Sequence, residues 1–333
     1  NRKEIQENRI KIMTEKRPMV ILTGPTAVGK TALSIELAKK INGSIISADS
    51  MQVYRHMDIG SAKVMPEEMN GVKHYLIDEF EPDEEFNVHV FKEKTLEYMD
   101  KIYEAGKIPI IVGGTGFYIQ SVLYDIDFTE SDSDASYRSE LECYANEHGV
   151  NALHEKLRAI DPESADSIHA NNVKRVIRAL EYYHLTGEKI SVHNAREREK
   201  ESPYDYRYFV LNDKRDHLYR RIDLRVDQMM EEGLLQEVKR LKEMGYHRGM
   251  VSMQGLGYKE ILSYLDGEIS LDEAVYEIKR DTRHFAKRQI TWFKRERDVI
   301  WVNKDEYGYD EKKILNSMMA ELADDPAFGK IRE

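Results

Sequence analysis

Gly24-Pro25-Thr26-Ala27-Val28-Gly29-Lys30-Thr31 satisfies the phosphate-loop pattern GxxxxGK[ST], and nothing else in the sequence constrains the fold as tightly. The pattern needs a strand before it and a helix after it. Met19-Val20-Ile21-Leu22-Thr23 is the short apolar, β-branched run of a buried parallel strand. Thr31 to Lys40 places Leu33, Leu37 and Lys40 on one helical face. Strand, glycine-rich turn and helix N-terminus form a cradle for polyphosphate. Backbone amides point inward, Lys30 neutralises phosphate oxygens, and Thr31 holds Mg²⁺ through its hydroxyl. The motif specifies a di- or triphosphate but not the group transferred.

Composition limits the remaining classes. The 333 residues suffice for a large core and two domains, and no apolar run approaches the length of a membrane span. The single cysteine, Cys143, can form neither an internal disulfide nor a cysteine-based zinc site, so a cytoplasmic location is the expectation. A net charge of −11 argues against non-specific binding of nucleic acid, although the charges are unevenly spread.

Residues 1–17 read as a loosely held leader. Ser44 to Ala48 is a second strand, followed by Asp49 where a parallel sheet binds ligands; its carboxylate suits a Mg²⁺ ligand, a general base or a helix cap. His74 to Asp78 reads as a strand, 87–105 as a helix, and Ile108 to Val112 as the clearest central strand. That strand runs into Gly113-Gly114-Thr115-Gly116, which brings Thr115 to the edge where the first loop opens. From about 128 to 202 the pattern is helical, with Lys174, Arg175 and Arg178 sharing one face, either solvated or facing phosphate. Tyr206 to Leu211 resumes the sheet, and 217–244 is one helix or two, with Gly233 as the break. Lys279 to Arg297 holds eight basic residues against two acids, with Phe285, Trp292 and Phe293 among them. Basic residues interleaved with aromatics suit RNA, and an amphipathic helix with a buried aromatic face explains them equally well.

Together, GPTAVGKT, SADSMQVYRHMDIGSAK, IPIIVGGTGFY, MQGLGYKE and AKRQITWF resemble the bacterial tRNA dimethylallyltransferases, in order from residue 24 to residue 293. The resemblance implies an α/β fold. A P-loop NTPase-like core would hold a parallel sheet flanked by helices, over 18–126 and 203–315. A helical insertion domain would cover 127–202, and a tail 316–333. It implies transfer of a dimethylallyl group from dimethylallyl diphosphate to the exocyclic amine of the adenosine 3′ of the anticodon. Mg²⁺ at the loop is the expected cofactor; oligomeric state is not fixed by the sequence, and a monomer is the expectation. Lys30 and residues 24–31, with Arg225, would bind the diphosphate; Asp49 would accept the proton; Thr115 would position the amine or a phosphate oxygen. The tRNA anticodon stem-loop would meet Asp49, Ser50, Met51, Gln52, Thr115, Arg138, Lys174, Arg175, Val176, Ile177, Arg178, Gln254, Gly255, Leu256, Gly257, Tyr258 and Lys259. Competing readings are a small-molecule kinase using ATP and an isopentenyltransferase acting on free AMP. A GTPase would need a guanine-reading NKxD, which Asn303-Lys304-Asp305-Glu306 does not supply.

Overall fold

The computed structural model describes residues 16–126, 135–325 and 327–328. Tyr124–Ser202 form one compact unit, and the chain up to Leu123 and from Pro203 onward forms the other.

The larger unit is built on a six-stranded sheet: β1 (Arg17–Thr23), β2 (Gly43–Ala48), β3 (His74–Tyr75), β4 (Ile108–Gly113), β5 (Tyr204–Asn212) and β6 (Val299–Asn303). Every pairing is parallel, in the order β3-β2-β4-β1-β5-β6. Strands covered on both faces need unbroken apolar runs, and Met19 to Leu22 are fully buried. The register pairs Gly113 with both Thr23 and Ala48. Residues 24, 49 and 114 therefore leave the sheet at one edge.

The strand expected over 74–78 stops at Tyr75, because Leu76 and Asp78 take positive φ. β6 was not foreseen: it is a five-residue edge strand whose only fully buried side chain is Val302. Arg17 belongs to β1 rather than to a leader, and its guanidinium meets Asp100 at 2.7 Å and lies over Tyr103. Residues 1–15 and the acidic stretch 127–134 lie outside the described residues.

Helices α1 (Lys30–Lys40), α2 (Val88–Glu104) and α3 (Gly116–Leu123) alternate with these strands. The smaller unit holds α4 (Ala135–His148), α5 (Val150–Ile160), α6 (Pro162–Ser167), α7 (Val173–Thr186) and α8 (Ile190–Glu199), with no strand among the described residues. Its core is its own and includes Leu141, Leu153, Leu157, Val176, Ile177 and Leu180.

The larger unit resumes through α9 (Arg215–Glu232), α10 (Leu234–Glu243), α11 (Tyr258–Leu265), α12 (Leu271–Phe293) and α13 (Glu311–Ala323). Gly233, at φ 104°, separates α9 from α10. The expected boundary between core and tail falls inside α13. That helix buries Ile314, Leu315, Met318 and Leu322 in the main core, so the core continues past residue 315.

α12 opens with a capping box between Ser270 and Glu273. Of its aromatics, Phe293 is fully buried while Phe285 and Trp292 are half-buried. Phe293→Ala is therefore expected to cost about 3–5 kcal/mol in urea unfolding, and a cost below about 1 kcal/mol would place the ring outside the core.

Candidate active site

The loop between β1 and α1 carries a concentration of positive charge. Lys30 Nζ donates to the carbonyls of Gly24 (2.9 Å) and Pro25 (2.8 Å). Burial pushes its ammonium down to about 7; the nearby Arg225 guanidinium adds to the fall, and the Asp49 carboxylate opposes it. Burial lowers the Arg225 pKa too, again with Asp49 opposing and Arg221 adding to the effect. Lys30, Asp49 and Arg225 thus lie within mutual electrostatic reach, although 195 residues separate Lys30 from Arg225 in sequence (225 − 30).

The outer side of the loop is braced by two cations that sequence reasoning did not assign. Arg221 Nε donates to Ala27 O at 2.8 Å, and the buried Lys304 Nζ donates to Val28 O at 3.1 Å. With these carbonyls already bonded and no side-chain cap at Gly29, the first amides of α1 are left to face an anion. Gly24, at φ 148°, packs so closely on the Leu211 carbonyl that a Cβ would lie 2.3 Å from its oxygen. One expected amide is unavailable: Thr26 N donates to Gln289 Oε1 at 2.9 Å.

Asp49 Oδ1 accepts from Met51 N at 2.8 Å and Gln52 N at 3.3 Å, so the carboxylate orders the turn that carries it. Thr115 N donates to Ala48 O at 3.2 Å, which seats Thr115 beside the end of β2. A divalent cation has few protein donors here. Thr31 is exposed at the start of α1, the Asp49 carboxylate lies within electrostatic reach of the adjacent Lys30, and no cluster of three metal-ligating side chains exists among the described residues. That set fits a Mg²⁺ carried mainly by substrate phosphates and water.

Other expected contacts divide. Ser50–Gln52 and 254–259 do come together, since Met51 packs on Gly255. Tyr258, however, is fully buried, and its hydroxyl donates to Glu237 Oε1 at 2.7 Å. The buried Glu237 also accepts from the amides of Asp58 (3.1 Å), Ile59 (2.9 Å) and Gly60 (3.2 Å). Tyr258 therefore braces the 58–60 loop and cannot face RNA. Gly257 is buried as well, and its amide closes the first turn of α11 on Glu260, whereas Gln254 and Lys259 keep exposed surface and Leu256 is half-buried.

In the smaller unit, Val176 and Ile177 are core residues, because a helix cannot turn five consecutive side chains outward; Lys174, Arg175 and Arg178 are exposed. Arg138 forks onto the buried Glu181 at 2.8 and 2.9 Å, so its guanidinium holds α4 to α7.

The basic block is also divided. Lys279 pairs with Asp227 at 2.6 Å and Arg283 with Asp223, whereas Lys287, Arg288, Lys294 and Arg295 are exposed.

The family model for IPP transferase matches residues 52–296, which is 245 of the 333 residues (296 − 52 + 1). The chain belongs to the IPP transferase family. A tRNA dimethylallyltransferase from Lachnoclostridium phytofermentans is 65% identical over 92% of this chain and 98% of its own. One from Acetivibrio thermocellus is 54% identical over 90% and 95%. Among solved structures, the tRNA isopentenylpyrophosphate transferase of Bacillus halodurans superposes with a TM-score of 0.69 at 43% identity, over 95% of this chain and 98% of that one. A eukaryotic dimethylallyltransferase acting on tRNA superposes at 0.74 and 31% identity, over 86% and 74%.

Within this IPP transferase, sequence reasoning missed Arg221, Lys304, Glu237 and Gln289 as organisers of the site. Arg221 stood in a visible basic cluster and Gln289 inside AKRQITWF, so both had a signal. Lys304 and Glu237 had none, because each acts on backbone groups far away in sequence.

Lys30→Met is expected to weaken binding of inorganic diphosphate at least about tenfold without lowering stability in urea, since it removes a buried charge and keeps an apolar stem. Between a folded value of about 7 and the ordinary 10.5, the unfolded chain holds the extra proton, so this group makes stability rise with pH across that window. The variant should lose its share of that rise. A variant less stable than its parent at pH 7 would contradict the assignment.

Proposed function

We propose that this chain transfers a dimethylallyl group from dimethylallyl diphosphate to the exocyclic amine of the adenosine 3′ of the anticodon in tRNA. The observation that carries the proposal is the convergence of Lys30, Arg225 and Asp49 at the edge reached by the phosphate loop. The relatives' names, all of tRNA prenyl transferases, leave a small-molecule kinase and a transferase acting on free AMP without support.

The chemistry follows from charge development. Breaking the allylic carbon–oxygen bond leaves negative charge on diphosphate, where Lys30, Arg225 and the first amides of α1 would stabilise it most as it forms. The Arg225 guanidinium offers a planar fork that matches two phosphate oxygens. Mg²⁺ bound to the diphosphate beside Thr31 would supply further neutralisation of that charge. The allylic carbon becomes cation-like, so a weak amine can attack it. Asp49 would take the proton the amine loses, and the Thr115 hydroxyl would orient the amine or a phosphate oxygen.

Recognition of the stem-loop would fall to Ser50, Met51 and Gln52, to exposed Gln254, Lys259 and the Gly255–Leu256 backbone, and to Lys174, Arg175 and Arg178 of the helical insertion. The exposed cations at the C-terminal half of α12 would add phosphate contacts. The target base must leave the loop stack to reach the amine acceptor position. The reading takes the protein as a monomer working in the cytoplasm; a single chain carries every group named, which supports it.

The test is transfer of label from dimethylallyl diphosphate to an anticodon stem-loop, with ATP and free AMP as controls. Asp49→Asn keeps an oxygen to accept from Met51 N, so the turn should survive while transfer falls by about 10²–10⁴-fold. Label in AMP and not in RNA, or phosphate release from ATP without transfer, would overturn the proposal.

A further inference from the structure

We infer that Gln289 is a positioning residue that sets the separation between the diphosphate cradle and the loop carrying Thr115; the inference rests on the transfer reaction proposed above. The register of β1 on β4 ends at Thr23 and Gly113, and the two loops then diverge. Gln289 bridges them. Its Oε1 accepts from Thr26 N at 2.9 Å, and its Nε2 donates to Gly114 O at 3.0 Å. The Gln289 side chain is buried, and both bonds lie in a partly buried region at the junction of the two loops.

The fit around this carboxamide is tight. A Cβ at Gly114 would lie 2.1 Å from Gln289 Nε2. One turn along α12, Trp292 fills the space beside Gly116, where a Cβ would lie 2.2 Å from its Cδ1. Thr115 thus sits between two glycines, both seated on one face of α12, and Gln289 ties that seat to the phosphate loop. Bridging an N–H and a C=O requires a side chain with one acceptor and one donor at fixed spacing. Glutamine supplies both; an ionised glutamate has no donor. Transfer needs leaving group and nucleophile aligned closely, and a 1 Å displacement costs about 10²-fold in rate.

The test compares wild type with Gln289→Met, which keeps length and loses both bonds, and Gln289→Glu, which keeps the acceptor for Thr26 N. Four quantities are read: single-turnover transfer to the stem-loop at saturation, equilibrium binding of inorganic diphosphate, equilibrium binding of the stem-loop, and urea unfolding. For Gln289→Met the saturated rate should fall about 10–100-fold. Both binding constants should stay within about threefold, since one backbone bond does not set either affinity. Gln289→Glu should recover part of the rate. An unchanged rate, or a fall matched by an equal loss of diphosphate affinity, would overturn positioning. If Gln289→Met does not fold, Gln289→Glu carries the split between rate and stem-loop binding, with a smaller fall in rate at retained stem-loop affinity; its added charge beside Thr26 acts on diphosphate affinity by itself. A wild type that transfers no label overturns the proposed function and positioning together; an active wild type beside an unimpaired variant overturns positioning alone.

Discussion

Enclosing an ammonium and a guanidinium at one end of a parallel sheet strips both of hydration and sets them against each other. Lys30 and Arg225, both half-buried, are held in this way at a cost, and burial lowers the pKa of each. The free protein meets part of that cost with the Asp49 carboxylate and the carbonyls of Gly24 and Pro25. A diphosphate bound there, as proposed, would supply the rest. The loop is fixed by its neighbours: Arg221 and Lys304 bond the carbonyls of Ala27 and Val28, and the close approach of Gly24 to Leu211 fixes where it leaves the sheet. In the proposed reaction this preorganised charge would act most strongly when negative charge appears on the leaving group.

A second set of contacts orders the turn after β2. Asp49 gathers the amides of Met51 and Gln52, and Gln52 reaches back to the carbonyl of Ala62 at 3.2 Å. The loop containing Ala62 is in turn anchored on Glu237, which also takes the Tyr258 hydroxyl. A single buried carboxylate therefore links the turn that carries Asp49, the proposed general base, to the segment 254–259. Its burial is tolerable because four donors surround it. Cutting this connection would loosen Asp49 without touching it.

The sequence revealed the parts of the site that follow from local rules. A phosphate loop needs its strand and helix, and motifs at strand ends must share an edge in a parallel sheet, so Lys30, Asp49 and Thr115 could be brought together from their positions alone. Contacts spanning long separations were not legible. Gln289 reaches Thr26 across 263 residues, and no local pattern encodes which side chain fills that gap. Burial was misread where a motif was treated as a uniform surface. The resemblance groups Tyr258 with the rest of 254–259 as a tRNA contact, yet Glu237 gives its hydroxyl a partner and so allows the ring inside. Val176 and Ile177 lie between cations on a helix whose period turns them inward. β6 escaped notice because five residues beside a dense charge block carry too little alternation to stand out.

The central claim is that the Lys30 ammonium is a desolvated cation awaiting a diphosphate. Its titration can be followed directly through the NMR shift of the ε-methylene in protein labelled with ¹³C-lysine, assigned with Lys30→Met. The structure places the midpoint at about 7 in the free protein. Saturating inorganic diphosphate with Mg²⁺ should move it up by at least about two units, since an anion in contact favours the charged form. A free midpoint near the ordinary 10.5, or one that ignores diphosphate, would contradict the account.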